Sequence, residues 1–133
     1  MEEDKLVSID TNLLIRFLVV DDDEEQCQAA LQVFQNQIVF VPATVLLEAE
    51  WVLRAAYQIS CGEIRNALLK LTRLPKVRFP DRNTLSQVLE LYSQGLDFAD
   101  AWHLVRSEGI PMKTFDKAFI KKAQKAGFEI SLP

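Results

Sequence analysis

Short apolar runs of three or four residues alternate along the chain with longer stretches in which apolar positions recur every three or four residues. These are the periods of buried strands and of amphipathic helices. Residues 6–9 form such a run, stop at Asp10 and predict a buried first strand, and residues 12–18 then take helical spacing. Residues 23–34 predict an amphipathic helix with Cys27, Ala30, Leu31 and Phe34 on one face behind an acidic first turn. Residues 38–41 are the next strand. Pro42 breaks it, and Thr44 is placed to cap a helix whose apolar positions are Val45, Leu46, Val52, Leu53 and Ala56. Gly62 is expected to separate that helix from another over residues 63–72.

Pro75 and Pro80 bracket a short strand at 77–79, and residues 83–92 return to helical periodicity, ending at Gly95. A helix over 98–106, a turn at Gly109-Ile110-Pro111 and a strand at 112–114 follow. The last helix spans 117–126, with Gly127 as its cap before a strand at 128–132. Strands that alternate with helices, without hairpin turns between them, predict an α/β fold of three layers, a central parallel sheet flanked by helices.

The 133-residue length suits one domain spanning 1–133, long enough to bury a core without disulfides or metal staples. An apolar fraction of 49% with 26% charged residues excludes the disordered class. The apolar stretches fall short of the roughly 20 residues needed to cross a bilayer. The start, Met1-Glu2-Glu3-Asp4-Lys5, lacks the basic region of a signal peptide, so a cytoplasmic protein is expected. Cys27 and Cys61 make no paired motif and are expected to act as small hydrophobes.

A net charge of -4 argues against broad wrapping of nucleic acid, but the charge is uneven. Residues 1–25 carry nine acids against two bases, whereas from Ile110 onward Lys113, Lys117, Lys121, Lys122 and Lys125 face only Asp116 and Glu129. A local basic face is therefore expected near the C-terminus.

Ligands of open parallel sheets sit beyond the carboxyl ends of strands, and Asp10 and Asp116 each directly follow a predicted strand. Asp97 and Asp100 are three apart at a helix start, so both carboxylates can share one face under the positive end of the helix dipole. Glu48 lies among Leu46, Leu47, Ala49 and Trp51, which makes a solvated position less expected for it than for Glu50. A carboxylate beside a core needs compensation, and a divalent cation would supply it. Oxygen donors without histidine or cysteine favour Mg²⁺ or Mn²⁺, whose chemistry suits phosphodiester cleavage. Each acid also has a plain structural reading: Asp10 as a turn residue, Asp97, Asp100 and Asp116 as helix caps, Glu48 as a solvated charge.

Four segments taken together resemble the PIN-domain nucleases along nearly the whole chain: Val7-Ser8-Ile9-Asp10-Thr11-Asn12, Leu46-Leu47-Glu48 with Trp51-Val52-Leu53, Asp97-Phe98-Ala99-Asp100-Ala101, and Thr114-Phe115-Asp116. More narrowly, the stretches from Asp97 to His103 and from Thr114 to Phe119 are similar to VapC-like ribonuclease toxins of bacterial toxin-antitoxin modules. That resemblance implies a Mg²⁺- or Mn²⁺-dependent endoribonuclease, an RNA substrate, a small antitoxin partner and a homodimer. It places catalytic acids at Asp10, Glu48, Asp100 and Asp116, with Asp97 an added acid beside the metal and Thr11, Asn12 and Thr114 as polar supports. Lys113 before Thr114 and Trp102 beside Asp100 depart from the family pattern without removing a ligand.

Arg16, Lys117 and Lys121 are candidate RNA contacts, Arg16 alternatively pairing with the acids of 21–25; Lys117, Lys121 and Lys125 recur every four residues. His103, the only histidine, invites an acid-base role that metal-bound water does not require. Trp51, Tyr57 and Trp102 sit in helical apolar patterns and are expected in a core or subunit interface. A receiver domain would want paired acids after its first strand, and a haloacid-dehalogenase-like phosphatase a second Asp where Asn12 stands. A non-catalytic module that uses the acids to hold an ion or a basic partner is the remaining alternative.

Overall fold

The computed structural model describes residues 5–20 and 23–133. Residues 1–4, on which the leader-sequence expectation rests, and Asp21 and Asp22, proposed as partners of Arg16, lie outside the described residues. The chain divides into two compact units, Met1–Arg82 and Asn83–Pro133.

In the first unit the order is β1 (Leu6–Ser8), α1 (Thr11–Leu18), α2 (Glu24–Asn36), β2 (Ile38–Phe40), α3 (Ala43–Ala55), α4 (Cys61–Thr72) and β3 (Val77–Arg78). The strands form a parallel sheet in the order β1-β2-β3, with Val7 opposite Val39 and Val39 opposite Val77. Helices that connect parallel strands cover the apolar sheet, and α1 packs against α2 and α3. Leu14, Val39, Val41, Leu46, Leu53, Leu68 and Val77 are fully buried, and Phe17 stacks on Phe34 with ring centroids 3.7 Å apart.

The first strand departs from expectation: Leu6 is 61% exposed and Ser8 is exposed, and only Ile9, just past β1, is buried. The reason is position, since β2 is the central strand and β1 lies at an edge. Two helix boundaries also differ. Pro42, not Thr44, occupies the cap position of α3, with no side-chain cap bond. Proline suits a helix start because its missing N–H leaves one fewer orphan donor. Gly62 lies inside α4, which Ser60 caps by accepting from Glu63 N at 3.2 Å; the break falls at Gln58, whose φ is 54°.

The second unit contains α5 (Arg82–Ser93, starting on the last residue of the first unit), α6 (Phe98–Arg106), β4 (Met112–Lys113), α7 (Lys117–Lys125) and β5 (Ile130–Ser131). β4 and β5 pair in parallel, Met112 opposite Ile130. Tyr92, Phe98 and Trp102 make successive edge-to-face contacts at 5.1 and 6.4 Å, with Phe98 fully buried. Gly127, at φ 95°, ends α7: its N–H donates to Gln124 O and that of Phe128 to Ala123 O, both at 3.0 Å. This left-handed position is the one a side chain would strain, so glycine fits here.

The fold is of the α/β class that the alternation predicts, helices with parallel strands. Among the described residues no helix is long and apolar enough to cross a membrane.

Candidate active site

Three of the five candidate acids cap helices. Asp10 Oδ1 accepts from Leu13 N at the start of α1, Asp97 Oδ1 from Asp100 N at the start of α6, and Asp116 Oδ1 from Phe119 N at the start of α7, each at 3.0 Å. The capping reading is thus realised at Asp97 and Asp116. Asp10 is a helix cap rather than a plain turn residue. Asp100 caps nothing and sits in the first turn of α6. A cap bond occupies one oxygen, while an ionised carboxylate has two oxygens and about four acceptor sites, so capping and cation binding are compatible.

In the first unit, Asp10 and Glu48 line one groove of about 520 Å³ together with Thr11, Asn12, Thr44 and Val45. Thr11 Oγ1 donates to Glu48 Oε1, tying the start of α1 to the middle of α3. Glu48 is exposed and Glu50 is the buried glutamate, 3% exposed, the reverse of expectation. Helical geometry decides this: Leu46, Ala49, Glu50 and Leu53 share the inward face, and Glu48 lies on the opposite one. Glu50 is compensated by Arg54, whose Nε donates to its Oε2 at 2.8 Å, rather than by a metal. Sequence reasoning overlooked this pair, although an i,i+4 Glu–Arg spacing was there to read.

Asp10 and Asn12 also border a second groove of about 210 Å³ with Leu13, Arg16 and Gln26. Arg16 Nε donates to Gln26 Oε1 at 2.9 Å, holding a guanidinium beside the acid.

In the second unit Asp100 is half-buried, and burial pushes its carboxyl above the ordinary aspartate range. The negative charge of Asp97 raises it further, His103 partly opposes this, and Asp116 adds to the rise. Among the described residues none of these three acids forms an ion pair with lysine or arginine. Thr114 Oγ1 accepts from Asp116 N at 3.1 Å, fixing the turn that presents Asp116. Thr11 therefore holds the side chain of Glu48 and Thr114 the backbone of Asp116, whereas Asn12 lines the grooves. His103 is exposed and acts on Asp100 through its charge.

The lysines divide. Lys117 and Lys121 are exposed, and Lys121, Lys122 and Lys125 line a groove of about 640 Å³ with Gln94. Trp102 is buried, as expected of a core residue, and its indole N–H has no partner among the described residues. Trp51 is 58% exposed and so is no core residue, because it falls on the Glu48 side of α3. Cys61 is exposed at the start of α4, against the expectation of a small hydrophobe, while Cys27 is half-buried with its Sγ 3.7 Å from Val19 O.

Among the described residues no three histidine, cysteine, aspartate or glutamate side chains form a ready group that could hold a metal. The donor set in each unit is all oxygen, the preference of a hard cation. No curated protein matches the chain. Compared with known protein families, residues 7–125 match the PIN domain, a stretch that contains all five acids. With that match covering most of its length, the chain belongs to the PIN-domain family, a family generally of metal-dependent nucleases.

Proposed function

We propose that this protein is an endoribonuclease that hydrolyses RNA phosphodiester bonds with Mg²⁺ or Mn²⁺, and that it is the toxin of a VapC-like toxin-antitoxin pair. The carrying observation is Asp100: a half-buried carboxylate made harder to ionise by burial first and then by Asp97 and Asp116, with no lysine or arginine paired to any of the three among the described residues. Like charges left facing one another are costly unless a cation joins them. Catalysis is assigned to Asp10, Glu48, Asp100 and Asp116, and metal binding to Asp10, Asp97, Asp100 and Asp116.

When bound, the divalent ion supplies an activated water and neutralises charge on the phosphoryl group. The side chains do the positioning. Thr11 orients Glu48, leaving the second carboxylate oxygen able to accept a proton from a water. Thr114 fixes the backbone of Asp116, and Asp10, Asp97 and Asp116 are each held in place as the cap of a helix. Arg16, Lys117 and Lys121 are cations suited to RNA phosphates.

The direct test is controlled expression in bacteria with mapping of RNA ends, the native chain against its Asp10→Asn form. New RNA ends and growth arrest with the native chain alone are expected. Phosphate release from generic esters without RNA cleavage would favour a phosphatase instead. An exposed Trp51 on α3 supports an association surface, and a cytoplasmic homodimer that binds a small antitoxin with a basic side chain is the expected assembly. Light scattering should give twice the chain mass; a strict monomer would count against it.

Between neighbours on α6, Asp100→Asn is expected to be the more damaging, by about tenfold or more in kcat/KM relative to Asp97→Asn. Asp97 keeps its cap when changed to Asn, an equally good N-cap, so the loss there is one charge. Equal residual cleavage in the two variants would refute the order.

A further inference from the structure

Phe115 is 83% exposed, the most exposed aromatic among the described residues. Its ring does not ride on a loose loop. Thr114 N donates to Ser131 O at 3.1 Å, Asp116 N to Thr114 Oγ1 at 3.1 Å, and Asp116 Oδ1 accepts from Phe119 N, so the backbone on both sides is fixed. A large apolar ring held rigidly in water gives up the free energy its burial would release. Single exposed apolar residues are ordinary; what sets Phe115 apart is its surroundings. It adjoins the candidate ligand Asp116, and the helix that Asp116 caps carries Lys121, Lys122 and Lys125 along a groove shared with Gln94.

We infer that Phe115 is a stacking platform for an unpaired nucleobase of the RNA substrate, with Lys117 and Lys121, exposed on the helix that follows it, taking the adjoining backbone. The inference rests on the ribonuclease reading and adds to it a residue that touches the substrate, Phe115, outside the set of acids. Aromatic faces beside a cationic groove are how single strands are bound without sequence preference, because every base offers a π-face. A duplex keeps those faces in its own stack and cannot offer one. A protein partner would call for an apolar patch around the ring, yet Lys113, Asp116, Lys117 and Ala118 beside it in sequence are exposed and mostly polar or charged.

The test uses the full chain and a fluorescein-labelled twelve-nucleotide RNA of mixed sequence, single-stranded or annealed to its complement. Anisotropy in EDTA reads binding, and cleavage in Mg²⁺ is followed separately. Phe115→Ala is expected to weaken single-strand binding about tenfold, within the roughly 5- to 150-fold span for loss of one stacked base. Phe115→Leu should lose as much, Phe115→Trp should bind as the parent does, and the duplex should bind weakly to all four proteins. If the parent binds and cuts the single strand and Phe115→Ala binds it equally well, the stacking role alone is overturned. Retention by Phe115→Leu would also overturn it, because an apolar contact then suffices, as would a change in oligomeric state with RNA affinity intact. A parent that neither binds nor cuts RNA overturns this inference together with the ribonuclease reading.

Discussion

Asp10→Asn is expected to lower kcat/KM for RNA cleavage by at least about 100-fold while the protein stays folded. Changing residues that merely orient metal ligands costs about 10- to 100-fold, and loss of a ligand itself should not cost less. The structural role of Asp10 survives the substitution. Its side chain accepts one bond from Leu13 N, and Asn is as good an N-cap as Asp, so the start of α1 persists with a stability change within about 1 kcal/mol. What disappears is the negative charge and a hard oxygen donor, which an amide replaces poorly. Asp10→Ala removes cap and charge together and should cost roughly 1 kcal/mol of stability in addition. Comparing the pair by thermal melting and by steady-state cleavage separates capping from catalysis. Near-native cleavage by well-folded Asp10→Asn would overturn the nuclease assignment.

The fold was legible wherever local periodicity decides it, and misread wherever neighbours decide it. Helical spacing locates α2, α5, α6 and α7 to within one or two residues, because one face of each is buried. The same pattern misjudges β1, whose exposure follows from its edge place in the sheet, a fact absent from any short window. Glu48 and Glu50 show the point within one helix: two residues apart, they fall on opposite faces, and the phase of α3 is set by what Leu46 and Leu53 pack against. Cys61 and the core half of the Trp51 reading fail for the same reason, exposure being decided by packing partners far along the chain.

Asp10 and Asp116 stand out in the sequence because each directly follows a predicted strand, and Asp97 and Asp100 because they share a helix start. An Asp before a helix looks the same in sequence whether it caps, binds a cation or does both. Only the Thr11–Glu48 bond, across 37 residues, and the repulsion focused on Asp100 distinguish these carboxylates from ordinary caps. Phe115 carries no such mark in sequence. Its exposure is seen only in the folded chain.

Excess EDTA is expected to bring RNA cleavage to background, a loss of about 100-fold or more, and added Mg²⁺ or Mn²⁺ to restore it. Asp100 makes the pH behaviour equally specific. Its folded-state carboxyl is raised above the ordinary value by burial first, then by Asp97 and Asp116 against the pull of His103. A carboxyl raised in the folded state favours folding when protonated. That stabilisation is fully present below the unfolded value, about 3.9, and is lost as pH rises through the higher folded one. At neutral pH the ionised Asp100 is thus a net cost to the metal-free fold, so metal-free Asp100→Asn should melt above the parent there, the gap closing toward pH 3. Mg²⁺ should reverse the order, raising the parent's melting temperature by linkage and leaving the variant nearly unmoved. In cleavage, protons and metal compete for one carboxylate, so the acid limb of the rate profile should lie above the usual aspartate range and move to lower pH as Mg²⁺ increases. A profile indifferent to Mg²⁺ concentration, or cleavage that persists in EDTA, would remove Asp100 from the metal site.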